Sequence, residues 1–213
     1  LSTAARVLEI PDAYTVDYSY YSTSGHYYAF QNTALQGRHN WMNMAQTVEV
    51  LEYVGLNPEQ ISSGLNTFIP IPHRMQIVSR INDVLFINDS KATNVDSAKF
   101  ALDAVSAPVI WIAGGTDKGN NYDELIPLVK EKVKWLVCLG IDNTSLITSF
   151  KNAIPGFSEV RSMNSAIETA LQKSTAGDTV LLSPACASFD LFNNYEDRGN
   201  QFIEAIKRLE ESQ

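Results

Sequence analysis

Short apolar runs, each ended by a polar or glycine-bearing loop and then by a stretch of helical period, fill most of the chain after residue 80. Val84-Leu85-Phe86-Ile87 stops at Asn88-Asp89-Ser90-Lys91-Ala92-Thr93-Asn94, and Val95, Ala98, Leu102 and Val105 then recur on one helical face. Val109–Ala113 precedes a helix through Leu125, Leu128 and Val129, and Trp135–Leu139 precedes one around Leu146–Ala153. A weaker strand near Ser158–Arg161 leads to Ala166, Ala170 and Leu171. Val180–Leu182 leads to Phe202, Ala205, Ile206 and Leu209. Five strand-then-helix units predict an α/β fold, a mostly parallel open sheet with helices on both faces.

The first third has a different pattern. Aromatic and β-branched runs, Tyr14–Tyr21 and His26–Ala34, flank Ser22-Thr23-Ser24-Gly25 and predict a hairpin. Gly37-Arg38-His39-Asn40-Trp41-Met42-Asn43 leads into a helix through Met44, Val48, Leu51 and Val54 that ends near Gly55. Asn57-Pro58-Glu59-Gln60 opens a second helix through Ile61 and Leu65, with Pro58 in the first turn. Ile69-Pro70-Ile71-Pro72 is a stiff, extended connector. It divides the chain into residues 1–72, a hairpin and two helices with few partners, and residues 73–213, the α/β domain.

The 213 residues are 45% hydrophobic and 19% charged, ordinary for a globular chain with a sizeable core. No run approaches the roughly 20 apolar residues of a membrane span, and the first residue is Leu1, as in an excised piece of a longer chain. Cys138 and Cys186 make no disulfide framework and lack metal-ligand spacing, so a cytoplasmic setting is expected. A net charge of −8 argues against a non-specific nucleic-acid binder, which would need a basic face. Anionic ligands, if any, must then be held by local cations inside loops.

Those cations stand where open α/β sheets bind ligands, at the carboxyl ends of strands and the starts of helices. In the first such loop Asp89 can orient a lysine, a magnesium ion or a hydroxyl, Lys91 can meet phosphate or carboxylate, and Thr93 or Asn94 can cap the helix. An ordinary strand–helix loop capped by Asn94 is the plainer reading. The next strands end at Gly114-Gly115-Thr116-Asp117-Lys118-Gly119, at Gly140-Ile141-Asp142 and at Ser183-Pro184-Ala185-Cys186-Ala187-Ser188-Phe189-Asp190. Neither GxxxxGK[ST] nor GxGxxG occurs, so neither a P-loop nor a nicotinamide site is expected. With no histidine after His73, a hydrolase-type nucleophile and base pair is absent. Cys138 reads as strand core, Cys186 as a small buried residue, and Glu196-Asp197-Arg198-Gly199 as a solvated turn with an ion pair. Asn40 and Asn43, three apart on a helix, can read a purine edge, although one as N-cap and one exposed is the default. His73-Arg74 reads as a surface cation pair before a phosphate contact.

Taken in order, GRHNWMN, PHR, INDSKATN, GGTDKG, LLSPACASFD and NNYEDRG resemble the signatures of the Mur ligase family, in particular its D-glutamate-adding branch. HNxxN and HR are shared with sister Mur ligases and folylpolyglutamate synthases. The resemblance implies a Rossmann-like C-terminal domain preceded by the tail of a central ATPase domain. It implies an ATP-dependent ligase that joins D-glutamate to UDP-N-acetylmuramoyl-L-alanine through an acyl phosphate, for cell-wall peptidoglycan. By matching position it assigns Asn40, Asn43, Arg74, Asp89 and Lys91 to ATP. It assigns Thr93, Lys118 and Ser188 to the D-glutamate carboxylates, with Phe189 and Tyr195 alongside; Tyr195 stands where the family usually has phenylalanine.

The family's P-loop, carbamylated lysine, Mg2+ ligands and UDP-binding domain have no counterpart in this sequence. The expectation is therefore a monomeric piece of a cytoplasmic enzyme, inactive alone, with ATP, Mg2+ and small-molecule substrates as its ligands and neither nucleic acid nor membrane as partner. The Pro70–Pro72 connector is expected to act as a hinge carrying Lys118 and Arg74 toward the nucleotide. A sister ligase, a folylpolyglutamate synthase-like enzyme and a non-catalytic nucleotide or dicarboxylate module are the alternatives.

Overall fold

In the computed structural model, which describes residues 19–30, 33 and 38–211, the apolar runs of the second domain pair side by side. The chain divides into two units, Leu1–Pro70 and Ile71–Gln213.

In the first unit, β1 (Ser19–Tyr21) and β2 (Tyr27–Ala29) form an antiparallel hairpin around the Ser22–Gly25 turn. The outer parts of the expected hairpin, 14–18, 31–32 and 34, lie outside the described residues, as does Gly37. Helices α1 (Arg38–Tyr53) and α2 (Pro58–Thr67) follow. Asn57 and Gln60 form a reciprocal capping box that starts α2, with Pro58 just inside it. Tyr20, Tyr28, Phe30, Met44, Ala45, Val48 and Ile61 make the core of the unit. Two carboxylates of α1 clamp the hairpin. Glu49 accepts from the Tyr20 hydroxyl (2.6 Å), the Thr23 amide (2.7 Å) and the Thr23 hydroxyl (2.6 Å). Glu52 accepts from Tyr28 (2.6 Å) and Ser22 (2.9 Å).

The second unit is built on six strands in the order β3-β4-β8-β5-β6-β7. They are β3 (Gln76–Ile81), β4 (Val84–Asn88), β5 (Val109–Ala113), β6 (Val133–Leu139), β7 (Phe157–Val160) and β8 (Thr179–Leu182). All neighbouring pairs are parallel except β3 with β4. The hydrophobic pattern does not predict β3. It turns into β4 through Asn82 and Asp83, both at positive φ (50° and 60°), a turn that matches the twist of the flanking strands. Its register slips between Ile77 and Ser79, which breaks the two-residue alternation that would have announced it.

Alternate strand residues face opposite layers. Ile87, Val109, Trp111, Leu136, Cys138 and Leu181 pack under α3 (Val95–Ala104), the 3-10 turn Asp123–Leu125 with α4 (Ile126–Lys132), and α5 (Thr144–Phe150). Phe86, Ile110, Ile112, Val137, Val180 and Leu182 pack under α6 (Met163–Lys173) and α7 (Tyr195–Glu211). The expected α/β architecture is therefore present, with helices on both faces. Asn94, not Thr93, caps α3 by accepting from the Ser97 amide at 2.8 Å. Among the described residues no helix is long and apolar enough to cross a membrane.

Candidate active site at the carboxyl edge of the sheet

Because β4, β5, β6 and β8 run parallel, their polar loops emerge together at one edge. The loops are then drawn into contact by their own backbones. The Gly114 amide donates to Pro184 O (2.9 Å) and the Thr116 amide to Ala187 O (2.8 Å). A Cβ on Gly115 would stand 2.1 Å from Ala187 O, so only glycine, at φ 129°, permits this approach. The buried Trp111 indole pins the β8 tip by donating to Ser183 O (2.8 Å). The zipper places Lys118 and Ser188 two residues and one residue beyond a shared bridge, Thr116 with Ala187. Lys118, Thr93 and Phe189 are exposed, whereas Ser188 is buried.

The β4 loop is built around Asn88 and Asp89. Asp89 accepts from the Met75 amide (3.1 Å) and the Ser183 hydroxyl (2.9 Å), so of its three readings it orients a hydroxyl here. Burial pushes its carboxyl up to about 7, against the lowering effect of those two bonds and of the nearby Arg74. Lys91 donates to the Tyr195 hydroxyl (3.0 Å), and its ammonium lies 4.4 Å from that ring's centroid. The phenol that departs from the family pattern thus holds a cation.

Two expectations need correction. Glu196-Asp197-Arg198-Gly199 is not a solvated turn but the first turn of α7, and Arg198 is 1% exposed. Its guanidinium donates to Ser90 Oγ (3.0 Å), Ser90 O (2.8 Å), Cys186 O (3.2 Å) and, at a long 3.5 Å, Gly114 O. One side chain therefore ties together the loops after β4, β5 and β8. Burial lowers its pKa to about 10, still charged at neutral pH.

His73 is likewise not a surface cation; it is 5% exposed, while Arg74 is exposed. The Asn88 amide donates to His73 Nδ1 (2.9 Å) and to Gly199 O (3.1 Å), which requires a neutral ring protonated on Nε2. Burial lowers the His73 pKa in the same sense. A Cβ on Gly199 would meet that Nδ1 at 2.2 Å, so the glycine makes room for the imidazole.

Cys138 and Cys186 are buried as expected, and burial pushes the Cys138 thiol up to about 12. In the first unit, Asn40 and Asn43 both lie in the opening turns of α1. Asn40 is inside the helix and buried, and Asn43 is exposed. Among the described residues no group of three His, Cys, Asp or Glu side chains stands ready to hold a metal ion.

Comparison with known proteins agrees with this architecture. Residues 73–186 match the family described as Mur ligase, glutamate ligase domain. Proteins named UDP-N-acetylmuramoylalanine–D-glutamate ligase are 48% identical in Christiangramia forsetii over 176 residues, and 48% in Cytophaga hutchinsonii over 175. These alignments cover 83% and 82% of this chain but only 40% and 39% of the relatives, so the chain spans about two-fifths of their length. Among solved structures, a pseudomurein peptide ligase type C from Methanothermus fervidus superposes with a TM-score of 0.65 at 16% identity, covering 91% of this chain and 40% of that one. MurF ligase from Thermotoga maritima in complex with ADP gives 0.64 at 12% identity, covering 92% and 44%. On the family match, which takes in more than half of its residues, the chain belongs to the Mur ligase family.

Proposed function

We propose that this chain is part of an ATP-dependent ligase that joins D-glutamate to UDP-N-acetylmuramoyl-L-alanine. In this reading residues 1–72 are the end of a central ATP-binding domain and residues 73–213 the amino-acid-binding domain. The γ-phosphoryl group of ATP passes to the alanyl carboxylate, giving an acyl phosphate and ADP. The D-glutamate amine attacks that carbonyl, phosphate leaves, and the ammonium proton is released to solvent. Mg2+ would neutralise charge on the ATP phosphates, and no ligand for it is assigned to this chain.

The observation that carries the reading is the zipped pair of loops bearing Lys118 and Ser188. An ammonium and a hydroxyl carried on loops held by their backbones suit the two carboxylates of an acidic amino acid and leave its amine free, which is catalysis by positioning. Thr93, at the adjacent β4 loop, is assigned to the same carboxylates, with Phe189 and Tyr195 alongside. Arg74, Asp89 and Lys91 are assigned to the nucleotide phosphates and Asn40 and Asn43 to its base. The names of the relatives favour D-glutamate among acidic acceptors.

The test is phosphate release by the full-length protein with ATP and UDP-N-acetylmuramoyl-L-alanine, comparing D-glutamate, diaminopimelate and L-lysine as acceptors. Saturation by D-glutamate alone is the expected result. Preference for either of the others would reassign the protein to a sister ligase, and no ATP-dependent ligation would leave a binding module.

A further inference from the structure

The loop that carries Lys118 is tied by a hydrogen-bonded hub whose members the proposed function does not use. At its centre is Tyr122, 2% exposed, its ring packed edge-on against Phe150 at 5.7 Å. The Tyr122 hydroxyl donates to Asp117 Oδ2 (3.0 Å), accepts from Asn120 Nδ2 (3.1 Å) and lies 3.2 Å from Cys186 Sγ. Asn120 Nδ2 also donates to Ala185 O (3.1 Å). Asp117 Oδ1 in turn accepts from the amides of Gly119 and Asn120, each at 2.8 Å, and so folds the chain on either side of Lys118.

The protons can be assigned. Burial opposes ionisation of Asp117, but the Asn120 amide, the Tyr122 hydroxyl and the Gly119 amide hold its carboxyl below the ordinary range, so it is a pure acceptor. The single phenol proton therefore goes to Asp117, and the Cys186 thiol donates to the phenol oxygen. Burial raises the Cys186 pKa, which keeps that proton in place. Every lone pair and proton of the Tyr122 hydroxyl is then in use. Asn120 and Cys186 connect the hub to the β8 loop, two residues before Ser188.

We propose that Tyr122 is a positioning residue for the acceptor: through Asp117, Asn120 and Cys186 it holds the Lys118 loop at a set spacing from Ser188, and that spacing selects the acidic amino acid by the distance between its carboxylates. The inference rests on the acceptor reading of Lys118 and Ser188.

The test uses the full-length protein with Tyr122→Phe, which keeps the packed ring, and Asn120→Ala, on the partly exposed side of the loop. Hydrogen exchange at the Gly119 and Asn120 amides reads the hub without reference to any substrate. Tyr122→Phe is expected to exchange at least about tenfold faster there, because it removes the donor that anchors Asp117, and Asn120→Ala, which keeps that bond but cuts the tie to Ala185 O, should exchange faster by a smaller factor. The KM for D-glutamate should rise about tenfold, as for one lost buried hydrogen bond, and the preference for D-glutamate over D-aspartate should narrow. The KM for ATP and kcat should stay within about twofold. Unchanged exchange would overturn the hub, whatever the protein's substrate. Faster exchange with an unaltered D-glutamate KM would overturn the positioning role, as would parallel losses in kcat and both KM values. A wild-type protein that saturates with no acidic amino acid would refute the proposed function before any variant is made, and this inference with it.

Discussion

Replacing Arg198 by methionine asks whether a buried fork of donors, rather than a buried charge, holds the strand tips together. Methionine keeps much of the side chain's reach and removes every donor. The Ser90 carbonyl, the Cys186 carbonyl and the Ser90 hydroxyl then each lose a donor inside the protein. A buried acceptor left in that state costs about 1–3 kcal/mol. Against this, burial has pulled the guanidinium pKa from 12.5 to about 10, so removing the charge returns on the order of 3 kcal/mol. The lost acceptors outweigh that relief, and the balance is a destabilisation of about 3 kcal/mol. For a unit the size of Ile71–Gln213 this is a fall in Tm of about 10 °C. Arg198→Lys keeps the charge but delivers it as a point and cannot reach all three of these acceptors on two loops, so it should recover less than half of the loss. Thermal unfolding followed by circular dichroism and by the fluorescence of buried Trp111 measures both variants. If the methionine variant melts with wild type, the staple contributes nothing. If lysine restores wild-type stability in full, the charge matters and the fork does not.

Further outcomes follow from other groups. Lys118→Ala in the full-length protein should raise the KM for D-glutamate about thirtyfold, the worth of a charge-assisted contact, while sparing that for ATP; steady-state kinetics with each substrate varied in turn decides it. Asp89 has a folded pKa near 7 against an ordinary 3.8, so its contribution to stability is full below 3.8 and is lost as pH rises through 7. Denaturation of wild type should show a decline on the order of 4 kcal/mol across that window, flattened in Asp89→Asn, and a carboxyl 13C titration with a midpoint below 5 would contradict it. Glu49 and Glu52 behave oppositely. Burial works against their ionisation, but hydroxyl donors to both, with the Thr23 amide at Glu49 and the His26 ring at Glu52, lower both pKa values below 4.5, so their contribution to hairpin docking is complete above 4.5 and lost as pH falls through the folded values. Glu49→Ala should remove its own share of that acid-sensitive contribution, leave the share of Glu52, and cost about 2 kcal/mol, read by hydrogen exchange at the Thr23 amide.

The parts of the molecule that follow from periodicity were legible. Four strands buried on both faces and the helices after them announce themselves by apolar run and helical period, and Pro58 and Asn57 mark a helix start by local chemistry alone. What escaped reading depends on contacts far apart in sequence. β3 hid because its bulge at Val78 scrambles the alternation, and its turn uses Asn-Asp where glycine is the stronger signal. Arg198 sits in a run of charges that locally reads as solvated. Its partners are 84 to 108 residues away at Gly114 and Ser90, with a third at Cys186. His73 reads locally as a surface cation for the same reason, since its burial depends on the side chain that Gly199 lacks. The loop cations were found because loops after parallel strands share an edge whatever their distance along the chain. Their exact supports, Tyr122 and Asn120 among them, are set by packing that no spacing rule encodes.

The two margins of the six-stranded sheet have a consequence for behaviour in concentrated solution. β3 is kinked at its bulge and presents the exposed, charged Arg80, while β7 is only 4 residues long and presents Glu159. A second copy approaching either margin meets a bent or abbreviated ladder and must strip water from a charge before any bond can form. Filament growth by strand addition is thereby discouraged at both ends of this sheet. Straightening β3 by deleting Val78 while replacing Arg80 with valine should make it the first place where molecules stick.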